Sequence, residues 1–130
     1  MKPALVMRND ELTQRIIGCC FAVHRELGPG FPEKIYHVAL EKSFGKEQIP
    51  YTSEQSFRVA FQGEPVGLFK ADLVVQGRVV IEVKAVTGVL PKVFESQVIA
   101  YLKATQLPVG LLVNFGNGSC QVRRLVHESL

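Results

Sequence analysis

Two strongly apolar segments of this chain contain charged residues at positions where a buried strand would exclude them. Both segments lie in FKADLVVQGRVVIEVKAV (residues 69–86), which includes Asp72, Glu82 and Lys84. An apolar run of this kind is typical of a strand that is buried on both faces. A buried charge is costly unless it is paired or holds a metal ion. The sequence therefore predicts a sheet with a small charged site in its interior.

The spacing of these residues determines whether their side chains can meet. Side chains alternate along a strand, so Glu82 and Lys84 point to the same face. Asp72 joins them only if the two strands pair in the right register. A turn of odd length, such as residues 76–78, sets Asp72 opposite Glu82, whereas a two-residue turn moves Asp72 to the other face. With the odd turn, two carboxylates and one ammonium group converge.

Hydrophobic periodicity and turn residues predict the remaining elements. Helices are expected at residues 9–27, 32–44 and 93–105. Besides the two central strands, further strands are expected at residues 53–61, 109–115 and 120–126. The third helix is the natural crossover that makes residues 109–115 parallel to residues 79–86. The sequence predicts an α/β fold with a mixed sheet flanked by helices, in the order α-α-β-β-β-α-β-β.

Finer features of the helices also follow from the pattern. Gly45 is expected to end the second helix, and Val93 is expected to belong to the apolar stripe of the third. The second helix is expected to turn four apolar residues inward: Ile35, Val38, Ala39 and Leu40.

Composition limits the function classes. The length of 130 residues predicts one domain spanning residues 1–130. The net charge of +3 is compatible with nucleic acid but does not require it. No apolar run is long enough to span a membrane, and the first residues do not form a secretory signal. Cys19, Cys20 and Cys120 have no metal-ligand spacing, so we expect core residues in a reducing cytoplasm.

The charged cluster is suited to divalent-metal chemistry. Asp72 and Glu82 can hold Mg²⁺ or Mn²⁺ together with the main-chain carbonyl of Val83. Such an ion lowers the pKa of a bound water, and Lys84 could orient that water or stabilise the transition state. The alternative, which the pattern leaves open, is a structural ion pair on a solvated sheet face, formed by Glu82 with Lys84 or by Asp72 with Lys70.

The order of these motifs resembles that of the PD-(D/E)XK nuclease superfamily. Asp72-x9-Glu82-x-Lys84 supplies the acidic pair and lysine, although Ala71 stands in place of the proline of the superfamily name. GPGFPEKIY further resembles the signature of the bacterial GxxExxY proteins, because Gly30, Glu33 and Tyr36 match the three fixed positions of that signature. The resemblance extends over about residues 12–116. It implies a restriction-endonuclease-like core that cleaves nucleic acid with a divalent metal.

The resemblance also implies roles for residues outside the acidic pair. Glu33 matches an acidic residue that ligates the metal directly or through water, and the alternative is an interaction with the helix dipole. Gln97 and Tyr101 lie four residues apart on one helix face and resemble a QxxxY element that borders the metal site. Both are candidate catalytic residues together with Lys84 and Glu33. His24 is expected to cap or pack a helix end.

The function expected from the sequence is a Mg²⁺- or Mn²⁺-dependent nuclease in the cytoplasm. We expect DNA more than RNA as the substrate, and no membrane partner. A homodimer that spans both strands of a duplex stays open. The main alternative is a catalytically silent nuclease-fold module that binds nucleic acid or a protein. A phosphohydrolase of small nucleotides is a third option, although the chain lacks a GxxxxGK[ST] phosphate loop.

Overall fold

A mixed five-stranded sheet lies between two helical layers in the computed structural model, which describes residues 9–127. The helices are α1 (Asn9–Leu27), α2 (Glu33–Lys46) and α3 (Val93–Thr105). The strands are β1 (Tyr51–Phe61), β2 (Glu64–Val75), β3 (Val79–Lys84), β4 (Val109–Asn114) and β5 (Gln121–Val126). The predicted α/β class and element order are confirmed, with strand ends that differ by one or two residues, except that β2 begins well before the central apolar run.

The strands neighbour one another in chain order, from β1 at one edge to β5 at the other. β3 and β4 are parallel, whereas the remaining neighbours are antiparallel. A parallel connection needs a crossover, and α3 provides it as predicted. The apolar central strands β3 and β4 are consequently covered on both faces.

The larger part of the core lies between the sheet and the α1–α2 layer. Its biggest fully buried side chains are Tyr36, Phe44 and Phe115. On the other face, α3 contributes Val98 and Leu102 to two smaller clusters. Cys19 and Cys20 are buried and Cys120 is partly buried, and all three are free thiols that pack in the larger core, as predicted.

The expected inward face of α2 was wrong in part. Ile35 and Val38 are exposed, and the buried stripe instead runs through Tyr36, Leu40 and Phe44 at a spacing of four residues. The large aromatic residues set the rotation of the helix, because they bury more apolar area than a β-branched residue does. Two smaller expectations also fail. Gly45 does not end α2, which continues to Lys46, and Val93 on α3 is exposed.

The β1–β2 hairpin extends well beyond the rest of the sheet. β2 pairs with β3 only over residues 73–75, whereas its pairing with β1 continues as far as Phe61 and Glu64. Residues 55–71 therefore form a two-stranded projection, which we call the hairpin arm.

Candidate active site

The register of the β2–β3 hairpin is the one that the odd turn predicted. Val75 pairs with Val79 and Leu73 pairs with Ile81, so three residues, 76–78, form the connection. One step further along the same register, Asp72 stands across from Glu82. The pairing of the two strands ends at this step, because the strands separate at the polar residues.

Asp72 occupies the gap between the separated strands. Its Oδ2 accepts a hydrogen bond of 2.8 Å from the main-chain N–H of Val83, where a strand carbonyl would otherwise be expected. β2 also changes face here, since Leu73 packs on the α1–α2 side and Ala71 on the α3 side. In β1, Glu54 lies opposite Asp72 in the register and has a φ of 53°, so the backbone is irregular here although β1 continues to Phe61. This local irregularity aims the Asp72 carboxylate along the sheet toward β3.

Glu82 is a buried carboxylate with unsatisfied hydrogen-bonding capacity. It is 7% exposed, and its Oε1 has no hydrogen-bond partner among residues 9–127. Burial, followed by the charge of Asp72, raises the pKa of Glu82 from 4.5 to about 7. Lys84 and a hydrogen bond from the Asp72 main-chain amide lower the pKa but do not offset the burial. A nearby cation would relieve this unfavourable charge.

Lys84 lies between Glu82 and an aromatic ring. Its Nζ is 3.7 Å from Glu82 Oε2, a distance longer than a good hydrogen bond, and 4.3 Å from the centroid of the Phe94 ring. The ring attracts the ammonium group through a cation–π interaction. The Glu82–Lys84 ion pair foreseen as the alternative is thus present, but it lies in a mostly buried setting and not on a solvated face. Asp72, for its part, binds the Val83 amide.

The main chain of Val83 faces the same gap as Asp72. The carbonyl of Lys84 accepts from Phe115 N–H on the β4 side at 2.9 Å. Main-chain groups of successive residues in a parallel strand point to opposite sides, so the Val83 carbonyl is directed toward β2. We call Asp72, Glu82, Lys84 and the Val83 main chain the carboxylate site.

The loop before α2 is closed by a tyrosine. The Tyr36 hydroxyl donates to Gly28 O at 2.6 Å and accepts from Phe31 N–H at 3.1 Å, while the ring stacks on Phe115 at 4.7 Å. Gly30 adopts a φ of 115°, which a side chain would disfavour. We call Gly28, Phe31 and Tyr36 the tyrosine latch. Its effect is to fix the start of α2.

Glu33 is the first residue of α2 and lies between Phe31 and Tyr36 of the tyrosine latch. Burial raises the pKa of the Glu33 carboxyl, Lys84 and His37 lower it, and Asp72 raises it. These influences mean that Glu33, although exposed, lies close enough to the carboxylate site to interact with its charges. Two of the three signature residues, Gly30 and Tyr36, thus shape a loop that presents the third.

Tyr101 and Gln97 lie on α3, which runs past the same site. Burial, followed by the charges of Glu82 and Asp72, raises the pKa of the Tyr101 hydroxyl. Its ring stacks on Phe69 at 4.4 Å. Gln97 is partly buried one turn earlier on the same face, and its role stays a prediction.

Two other side chains clarify what the sequence could and could not indicate. His24 is buried, its Nε2 donates to Asn117 O at 2.8 Å, and it stacks on Phe115, so the expected packing role is the observed one. Phe94, by contrast, was missed. Its spacing of three and seven residues from Gln97 and Tyr101 places it on one stripe of α3, and this signal could have found it.

Two carboxylates, one carbonyl and a nearby third acid can accommodate Mg²⁺ or Mn²⁺, which prefer oxygen ligands and retain several waters. The partnerless Glu82 oxygen and the repulsion between Glu82 and Asp72 fit such an ion. Within the described chain, however, no group of three or more His, Cys, Asp or Glu side chains is spaced to hold a metal by itself. A metal would therefore need main-chain and water ligands.

One cavity lies elsewhere, between α1 and α2. It has a volume of about 450 Å³ and is lined by residues of α1 and α2 such as Val23, Leu27 and Ala39. Its walls contain none of the carboxylate-site residues, so we assign the chemistry to the site and not to the cavity. Among residues 9–127, no helix is long and apolar enough to cross a membrane.

Comparison with known proteins agrees with this arrangement. The sequence pattern of the PD-(D/E)XK nuclease superfamily matches residues 10–125, so the chain belongs to this superfamily. Its mixed sheet and helices form the restriction-endonuclease-like fold that was predicted.

A solved structure, the crystal structure of SSO0001, is similar in fold. Its TM-score is 0.53 at 19% identity, and the match covers 72% of this chain and 49% of that chain. The present chain thus spans about half the length of SSO0001, and the likeness concerns the fold alone. No curated protein matches the chain.

Proposed function

We propose that this protein is a metal-dependent nuclease that hydrolyses phosphodiester bonds of nucleic acid at the carboxylate site. The observation that carries the proposal is the buried Glu82 carboxylate, whose Oε1 lacks a partner while Asp72 and Lys84 lie beside it. Buried groups with strongly shifted pKa values are characteristic of functional sites. Membership of a superfamily of nucleases supports the same chemistry.

In this proposal, Asp72, Glu82 and the Val83 carbonyl hold Mg²⁺ or Mn²⁺, and Glu33 takes part directly or through water. When bound, the ion supplies an activated water and neutralises charge on the phosphate. The hydrogen bond from Val83 N–H fixes the orientation of the Asp72 carboxylate. Burial of Glu82 excludes competing water from one side of the site.

The remaining catalytic roles belong to Lys84, Gln97 and Tyr101. Phe94 and Glu82 hold the Lys84 ammonium at the site, where it can orient the attacking water or stabilise the charge on phosphorus. Tyr101 and Gln97, on one face of α3, orient the substrate or the water.

The proposal extends to several finer assignments. The positive φ of Gly30 and the hydrogen bonds of the Tyr36 hydroxyl support placing the chain among the GxxExxY proteins. The uninterrupted match over residues 10–125 supports one nuclease-like domain over residues 1–130. We propose DNA before RNA as the substrate. Free, largely buried thiols support a reducing, cytoplasmic location.

The direct test is cleavage of single- and double-stranded DNA and RNA with Mg²⁺, Mn²⁺ or EDTA. Asp72→Ala and Lys84→Ala are expected to reduce the rate by at least about 100-fold, as removal of one stabilising group does in other active sites. Glu47→Ala and Lys46→Ala, on exposed residues at the end of α2, are the matched controls and should cleave normally. Cleavage that survives both site substitutions, or that persists in EDTA, would refute the assignment.

A second candidate is a nuclease-fold module that binds nucleic acid without cleaving it. The absence of a three-acid cluster among residues 9–127 favours it, since a weaker cation site could be inactive. Calorimetry distinguishes the two. Retained nucleic-acid binding without any heat of Mn²⁺ binding supports the silent module, whereas Mn²⁺ binding that Asp72→Asn abolishes supports the nuclease.

A further inference from the structure

Three aromatic rings form a continuous row between the hairpin arm and the carboxylate site. Phe57 of β1 stacks on Phe69 of β2 with centroids 5.4 Å apart and planes at 23°. Phe69 in turn stacks on Tyr101 of α3 at 4.4 Å and 9°. We call Phe57, Phe69 and Tyr101 the aromatic row. It joins three elements that are distant in sequence.

The row exists because the hairpin changes face at Glu54 and Asp72. On the C-terminal side of Asp72, Leu73 and Val75 face the α1–α2 layer. On its N-terminal side, Ala71 packs against the α3 layer. The same irregularity that aims Asp72 at β3 therefore carries Phe69 and Phe57 toward α3. The carboxylate site and the row are two results of one backbone feature.

The two ends of the row differ in their surroundings. At one end, Tyr101 packs against the cluster that contains Ala71, the residue directly before Asp72, so this ring borders the carboxylate site. In the middle, Phe69 is covered by a ring on each face. At the other end, Phe57 is partly exposed, and one of its faces is directed away from Phe69.

Stacked aromatic rings beside a phosphate-processing site suit one class of ligand, the unpaired nucleobase. Every base has a flat π face, and proteins that bind single strands extend such stacks with aromatic side chains. In a duplex, neighbouring base pairs already cover those faces. Arg58 and Lys70 are exposed on the arm and add positive charge that attracts a polynucleotide backbone.

We propose that the aromatic row is a nucleobase-binding site in which an unpaired base of the substrate stacks on the outer face of Phe57. This assignment rests on the proposed function and refines it. The substrate is a single strand, or a locally unpaired segment, that runs along the row with the scissile phosphate at the carboxylate site.

A purely structural role for the row makes a different prediction. Phe57 and Tyr101 also pack against the small apolar cluster on the α3 side, whose buried members include Ala71 and Leu102. Leucine can replace Phe57 in such a covering role, but it has no π face for a base. Phe57→Leu therefore separates the two roles, and Phe57→Tyr is the conservative rescue.

The test measures binding in the full chain with Asp72→Asn, so that cleavage does not consume the ligand. A 12-nucleotide single strand containing 2-aminopurine reports both affinity and stacking through its fluorescence. We expect Phe57→Leu to weaken binding by about 5- to 100-fold and to relieve the quenching. Phe57→Tyr should restore both. We call the Asp72→Asn chain without further substitution the parent. The matched control is Phe61→Leu, at an exposed ring on the same arm outside the row, and this variant should bind like the parent.

The outcomes separate this inference from the nuclease assignment. If Phe57→Leu and the parent bind the single strand equally, the base site is refuted, whether or not the unmutated chain cleaves. Equal affinity of the parent for the single strand and its duplex also refutes it. If binding depends on Phe57 but the unmutated chain cleaves nothing, the base site stands and the nuclease proposal fails.

Discussion

The tyrosine latch and the carboxylate site are both polar arrangements in the interior, but they differ in how completely their polar atoms are satisfied. In the latch, the Tyr36 hydroxyl both donates and accepts, and its ring is fully buried against Phe115. In the carboxylate site, Glu82 keeps an oxygen without a partner among the described residues, next to a second acid. The latch therefore adds to the stability of the folded chain, whereas the carboxylate site lowers it.

This contrast gives a physical criterion for separating structure from function. Proteins leave few buried polar groups unsatisfied, because each one costs about 1–3 kcal/mol. A chain that retains such a cost at Glu82 while it satisfies Tyr36 fully points to a ligand at Glu82. Substitutions should therefore have opposite effects on stability in the two regions.

The largest expected effect is at the latch. Tyr36→Ala should lower the free energy of unfolding by about 3–5 kcal/mol, because it leaves a cavity beside Phe115. Tyr36→Phe should cost about 1–3 kcal/mol, since Gly28 O and Phe31 N–H lose their partner. Urea unfolding measures both. Tyr51→Phe, on a partly exposed tyrosine, is the control and should stay within about 0.5 kcal/mol. A loss below 1 kcal/mol for Tyr36→Ala would contradict the contrast.

At Glu82, by contrast, substitution is expected to raise the free energy of unfolding above that of the native chain at neutral and higher pH. Its pKa is about 7 in the folded chain and near 4.5 when unfolded, so the folded state binds the extra proton between these values. Stability is therefore fully present below pH 4.5 and is lost as the pH rises through 7. Without divalent ions, the native chain should lose on the order of 2–3 kcal/mol relative to Glu82→Gln over this range.

Unfolding free energies of the two chains at pH 4.5, 6 and 8 in EDTA check this prediction. Glu47→Gln, on an exposed acid of the same charge, should show no such pH-dependent difference. A relative stability that is constant or rises with pH would mean that Glu82 is not held in an unfavourable charged state.

These contrasts also show how much the sequence could predict. Parity showed which turn length brings Asp72 to Glu82, because side chains alternate along a strand, and the structure has the odd, three-residue turn. The change of face at Asp72 did not follow, since Glu54, which has a positive φ opposite Asp72, lies in a different strand. A non-local backbone irregularity leaves no mark in the spacing of apolar residues.

The face of α2 was mispredicted for a related reason. Ile35 and Val38 have the hydrophobicity of core residues. The helix nevertheless buries Tyr36 and Phe44 in their place, because these larger side chains remove more apolar area from water. Lys84 was found from its spacing to Glu82, whereas its ring partner Phe94 comes from the next element of the chain. Local patterns thus located the acids and the lysine but not the packing that orients them.

A bound cation should reduce the energetic cost of the carboxylate site and so bring its contribution to stability closer to that of the latch. At about ten times its Kd, Mn²⁺ should raise the free energy of unfolding of the native chain by about 1.4 kcal/mol, since it binds only the folded state. Asp72→Asn should abolish this gain, and Tyr51→Phe should leave it intact. Thermal unfolding with and without Mn²⁺ provides the measurement. An equal gain in Asp72→Asn would place the ion elsewhere in the molecule.

The smallest expected effect on stability is at Glu33, the residue that links the two regions. Glu33→Gln should change the free energy of unfolding by less than about 0.5 kcal/mol, because the side chain is exposed. It should nevertheless weaken Mn²⁺ binding about tenfold, as loss of a supporting group near a metal does. Calorimetric titration measures this affinity.

If the latch serves the site by placing Glu33, then Tyr36→Phe should weaken Mn²⁺ binding as well, although Tyr36 itself contacts Gly28 and Phe31. The double variant should then bind no more weakly than Glu33→Gln alone, because both substitutions remove the same carboxylate from the ion. Additive losses would show instead that the latch and the carboxylate site act independently, and that the signature spacing of Gly30, Glu33 and Tyr36 reflects folding alone.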